Sequence, residues 1–72
     1  MNPIKSIYRN GQPIDLAGLM ADTATGWSAH NYSTQVDGQE IDLLLIRTNH
    51  AGYWRFYLKR SGFVAASWSV SQ

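Results

Sequence analysis

Apolar and polar positions divide the chain into strand-length runs separated by turn residues. Runs rich in β-branched and aromatic side chains cover 4–9, 32–36, 40–48, 53–59 and 63–70, and such residues suit the pleated, half-buried surface of a strand. The second of these has a start near Trp27 as its alternative. Asn10-Gly11 and Asp37-Gly38 are dipeptides that accept positive φ at both central positions of a type I′ hairpin turn. Arg60-Ser61-Gly62 has the length of a three-residue loop ending in a glycine bulge. Asn49-His50-Ala51-Gly52 makes a looser four-residue connection.

One segment has a different period. Leu16, Leu19, Met20 and Thr23 recur at i, i+3, i+4 and i+7, which places them on one helical face. Asp15 stands at the N-cap position and Thr25-Gly26 supplies a stop. Gly18 weakens such a helix by about 1 kcal/mol relative to Ala. A helix this short is not stable alone, so its Leu/Met stripe is expected to dock on a sheet. The rival is an extended strand and loop through 14–16.

Turn length fixes which residues face each other across a hairpin. A two-residue Asp37-Gly38 turn pairs Val36 with Gln39, Thr34 with Ile41 and Tyr32 with Leu43. A three-residue loop at 60–62 pairs Lys59 with Phe63, Leu58 with Val64, Phe56 with Ala66 and Trp54 with Trp68. A four-residue loop at 49–52 pairs Thr48 with Tyr53, Arg47 with Trp54 and Leu45 with Phe56. Tyr32, Thr34, Val36, Ile41, Leu43, Leu45, Trp54, Phe56, Leu58, Val64, Trp68 and Val70 then merge into one apolar face under the helix. The expected fold is α+β: an antiparallel meander of about four strands, five if the N-terminal run pairs at an edge, with one short helix on one face.

The opposite face is then unusual. It carries Leu44, Ile46, Tyr53, Arg55, Tyr57, Lys59 and Phe63, whereas the wet side of an antiparallel sheet is ordinarily polar. Leu43–Ile46 is a continuous apolar run, the pattern of a strand covered on both sides. A second copy of the chain or another protein is the expected cover.

Composition narrows the classes. Seventy-two residues suffice for one domain, residues 1–72, with a modest core. The absence of cysteine removes disulfides, thiolate metal sites and a thiol nucleophile. Two histidines are too few for a self-contained zinc site, and no cofactor or metal is expected. Hydrophobic residues at 44% with 15% charged exclude a disordered tail. No apolar run approaches the roughly 20 residues that span a membrane, nor is a signal-peptide core visible at the N-terminus. The expected setting is cytoplasmic, with no membrane partner.

Charge is partitioned along the chain. All five acids, Asp15, Asp22, Asp37, Glu40 and Asp42, precede Arg47, Arg55, Lys59 and Arg60, which suggests an acidic end and a basic sheet face that would steer a complementary partner. Within 53–60, period two gathers Tyr53, Arg55, Tyr57 and Lys59. Such a surface can stack bases and neutralise phosphates or form a protein hot spot, and it can also be a plain strand with stabilising cross-strand pairs. A pI near 8.1 is low for a dedicated nucleic-acid module, and neither an RNP motif nor a helix-turn-helix is present.

Catalysis has thin support. Glu40 and Asp42 share a strand face and could do acid–base work, but after an Asp-Gly turn they read as solvated charges. His30 and His50 read as surface or capping residues, and Ser61, Ser67, Ser69 and Ser71 lack an evident His–Asp partner. The chain is therefore expected to be a non-enzymatic interaction module, an inhibitor or adaptor of the kind phages and mobile elements encode. It would bind a protein partner through the aromatic–basic face as a homodimer, with single-stranded nucleic acid as the alternative ligand.

Overall fold

A computed structural model describes residues 6–72. The described strands are β1 (Ile7–Arg9), β2 (Gln12–Ile14), β3 (Tyr32–Val36), β4 (Gln39–His50), β5 (Tyr53–Arg60) and β6 (Phe63–Ser71). Helix α1 (Leu16–Thr25) follows β2, and a 3-10 turn at Trp27–Ala29 leads into β3. The strands form one antiparallel sheet in the order β2-β1-β3-β4-β5-β6.

The expected meander is present as β3–β6, but the sheet has six strands, beyond the four or five expected. The difference lies at Asn10-Gly11, whose positive φ values close a tight hairpin between β1 and β2. Gln12–Ile14 is thus a strand, and the helix begins directly after it. Pro13 is tolerated there because β2 is an edge, where a missing backbone N–H breaks no ladder. The Ile4 and Lys5 part of the N-terminal run lies outside the described residues.

Asp15 caps α1 as expected, its carboxylate accepting from the Gly18 N–H at 2.9 Å. The docked stripe is different, however. Leu19 and Asp22 are buried, while Leu16 and Met20 are exposed. A ten-residue helix laid on a sheet buries a narrow line of side chains, and here an acid belongs to that line. Gly18 has a packing role too: a Cβ there would meet Ile14 Cγ1 at 2.6 Å.

Two hairpin registers differ from expectation in an informative way. The Asp37-Gly38 hairpin has the expected pairs, Tyr32 with Leu43, Thr34 with Ile41 and Val36 with Gln39. The next turn is Ala51-Gly52 alone, so His50 faces Tyr53, Arg47 faces Phe56 and Leu45 faces Leu58. This is a shift of two positions, which preserves the face of every side chain. The last turn is Ser61-Gly62, with φ of 40° and 79°, so Arg60 faces Phe63 and Lys59 faces Val64. A register shift at Leu58/Lys59 then aligns Leu58 with Ala66, Phe56 with Trp68 and Trp54 with Val70. That bulge leaves Ala65 without a cross-strand mate and exchanges the faces of its two predecessors. Phe63 packs against the core, and Val64 is 47% exposed, the reverse of the expected assignment.

The core comprises Ile7, Leu19, Tyr32, Leu43, Phe56, Leu58 and Trp68. Phe56 and Trp68 stack with centroids 5.5 Å apart, and Trp27 meets Phe56 edge-on at 6.2 Å. Trp54 and Val70 are partly buried beside them, whereas Val36, near the second turn, is 40% exposed. Strand β4 joins the two halves of the sheet. Its residues 39–43 pair with β3, and 44–50 pair with β5.

Candidate functional site

Leu19 belongs to the same core cluster as Phe56, Leu58 and Trp68, so α1 lies on the side of the sheet to which those residues point. The other side of β4–β6 carries four cross-strand rows, which follow from the register: Leu44–Lys59–Val64, Ile46–Tyr57–Ser67, Thr48–Arg55–Ser69 and His50–Tyr53–Ser71. Six of the seven residues expected there, Leu44, Ile46, Tyr53, Arg55, Tyr57 and Lys59, are therefore together. Phe63 is the exception, carried to the core side by the bulge. Val64 takes its place, and the signal for it was the Ser-Gly pair, which closes a tighter turn than a three-residue reading allows.

Leu44 is 65% exposed. Its neighbour Leu43 is buried, so the apolar run divides into one residue for the core and another for the opposite surface. Two cations sit among these side chains. The Arg55 guanidinium lies 5.6 Å from the Tyr57 ring centroid, within cation–π range. Its Nε is buried and has no hydrogen-bond partner among the described residues. Among those residues neither Arg55 nor Lys59 meets a carboxylate; both ion pairs formed there belong to Asp22. At the far end, His50 stacks on Tyr53 at 5.0 Å and shares a 3.2 Å hydrogen bond with Thr48 Oγ1.

The acids Glu40 and Asp42, both exposed, share this face of β4 near its start. From Asp42 to His50 is eight strand positions, about 26 Å at roughly 3.3 Å per residue. His30 is engaged elsewhere. The residues of the acid–base reading are thus dispersed. Among the described residues no group of three His, Asp or Glu side chains gathers as metal ligands, and no helix is long and apolar enough to cross a membrane.

A second polar cluster escaped the sequence. Asp22, 3% exposed, accepts from Arg9 Nη1 at 2.5 Å and from the Tyr32 hydroxyl at 2.6 Å, and its Oδ1 lies 3.7 Å from His30 Nε2. Burial, then the adjacent carboxylate, pushes the Tyr32 hydroxyl's titration well above its ordinary range. These contacts join α1, β1 and β3. Asp22 stands three residues after Leu19, the spacing of a shared helical face, which is the one hint the sequence contains. On the core side Arg47 lies between two indoles, 4.1 Å from the Trp54 centroid and 5.3 Å from that of Trp27.

Comparison with known proteins assigns no relative: no family model matches the chain, and neither a curated protein nor a solved structure matches it.

Proposed function

We infer that the chain is a non-enzymatic interaction module that docks a protein partner on the outer face of β4–β6. The carrying observation is an exposed Leu44 opposite Lys59, on the face that also carries Arg55 two rows away, two cations without a carboxylate among the described residues. Apolar and aromatic surface supplies the affinity of a protein contact, with Tyr and Arg as its usual anchors. The unmatched positive charge selects a partner bearing Asp or Glu beside apolar side chains. An inhibitor or adaptor acting in the cytoplasm fits this reading.

Single-stranded nucleic acid is the competing ligand for the same rings and cations, and one experiment separates the two. A displayed library of random peptides is selected against the chain, and the winners are titrated by fluorescence anisotropy beside an oligo-dT probe. Acidic–apolar peptides should emerge and lose at least tenfold in affinity with folded Tyr57→Ala and Arg55→Ala variants. Winners indifferent to both substitutions overturn the reading. So does oligo-dT binding tighter than every peptide and steeply weakened by salt through counterion release.

A further inference from the structure

The two edges of the sheet are unlike. Edge strands present a row of backbone donors and acceptors to any other strand, and natural proteins guard them with charge, proline, bulges or brevity. Strand β2 is guarded: it has three residues, one of them Pro13. Strand β6 is an edge of nine residues, Phe-Val-Ala-Ala-Ser-Trp-Ser-Val-Ser. It contains neither a charge nor a proline. Its single bulge falls at Ala65, so the ladder from Ala66 to Ser71 is regular. Among the described residues no hydrogen bond reaches the backbone of 64–71 from the side turned away from β5.

We propose that β6 pairs antiparallel with β6 of a second copy, about a two-fold axis normal to the sheet and midway between the two copies of Ser69. Two constraints narrow the register, and the match of the facing side chains selects it. Paired residues must share a face, so a strand meeting its own copy centres on a residue. The pairing must also avoid the bulge, and centring on Ser69 does so. Ser69 then faces its own copy, Trp68 faces the copy's Val70, and Ser67 faces the copy's Ser71. On the outer side small hydroxyls meet small hydroxyls, and on the core side a large ring meets a β-branched residue, both favourable cross-strand pairs. No like charges are opposed. An uncharged strand gives a foreign charged peptide nothing to read, whereas it matches itself at each of these positions.

The pairing does not rest on the Leu44–Tyr57 face, and either can fail alone. The chain's lack of cysteine makes the test direct. In an antiparallel ladder a residue opposite itself has Cα atoms about 4.5–5.5 Å apart, inside the disulfide range. Ser69→Cys should therefore cross-link under mild oxidation to nearly complete dimer. Ser67→Cys should not, because its copy lies four strand positions away, roughly 13 Å at about 3.3 Å per residue. Sedimentation equilibrium should give twice the 8.1 kDa chain mass. Ser69→Lys, which sets two added cations face to face beside both Arg55 residues, should fall to the monomer mass while circular dichroism stays unchanged; Ser69→Thr should stay dimeric.

A wild-type monomer at 100 micromolar-scale concentration, as a β6 covered by the chain's own first residues would give, overturns the pairing. So does equal cross-linking of both cysteine variants, or a dimer that survives Ser69→Lys and dissociates only when Leu44 and Ile46 are made polar. A monomer that still binds selected peptides through Tyr57 would sink the dimer and leave the proposed docking face standing.

Discussion

Replacing Asp22 with Ala should cost about 2–4 kcal/mol, and the partners of its carboxylate say why. Asp22 receives two charge-assisted hydrogen bonds, from Arg9 and from the Tyr32 hydroxyl, each worth roughly 1.5–3 kcal/mol. The two shares are unequal. The Arg9 side chain is 37% exposed, so water continues to hydrate it, and its loss falls toward the 0–1 kcal/mol of a surface pair. Tyr32 is 3% exposed, and its orphaned hydroxyl bears a desolvation penalty of about 1–3 kcal/mol. Removing a buried carboxylate returns some desolvation energy, but stranding its partners outweighs that gain. A chain of this length has about 4–11 kcal/mol to lose at roughly 0.05–0.15 kcal/mol per residue. The substitution should therefore lower the urea midpoint by a large fraction, followed by tryptophan fluorescence. A cycle with Tyr32→Phe should give a coupling of about 1–2 kcal/mol, since these side chains touch. An Asp22→Ala cost below about 0.5 kcal/mol, or a coupling of zero, would mean that Leu19 alone holds the helix.

Tyr32 also sets an alkaline limit. Its titration is raised above the ordinary value of 10.0, so the stability it contributes is complete below pH 10 and drains away as pH rises past it. Urea midpoints should therefore fall from pH 10 upward more steeply in wild type than in Tyr32→Phe, and parallel curves would contradict this. Phe56→Ala removes a ring that is 2% exposed and stacked on Trp68; calorimetry should show a loss of about 3–5 kcal/mol, a large share of the stability a chain of this length has. Gly38 adopts φ of 79°, a region that β-branched residues resist. Gly38→Val should lower the melting temperature and broaden the amide NMR signals of 34–41, and sharp, unshifted signals would count against the turn assignment.

The sequence reported some of this fold faithfully because period two and tight turns are local. Asp37-Gly38 determined its hairpin residue by residue, and Asp15 marked the start of the helix. At Ala51-Gly52 the loop is two residues shorter than the four expected, yet each side chain keeps its face, since parity survives an even shift. At Ser61-Gly62 parity broke. A bulge depends on how two strands twist together, and nothing within 63–66 announces it. Leu16 and Met20 obeyed helical spacing but stayed in water, because the helix presents Leu19 and Asp22 to the sheet. The Asp22 cluster was the least legible part: Arg9, Asp22 and Tyr32 are distant in the chain, and it takes both the β1–β3 pairing of Arg9 with Tyr32 and the docking of α1 to bring them together. The proposed docking face was easier to anticipate, because alternation alone placed Leu44, Ile46, Tyr57 and Arg55 on one side.

Strand β4 gives its first five residues to β3 and its last seven to β5, so each half of the sheet ends on the same backbone. When one half opens, the other loses the neighbour that keeps its border strand ordered. The core adds a second tie, since Ile7 and Tyr32 share one continuous cluster with Phe56 and Trp68. The two halves should therefore behave as a single cooperative unit. The amides of 41–46 would exchange with deuterium only through opening of the whole chain, and their rates should track global stability in every variant named above.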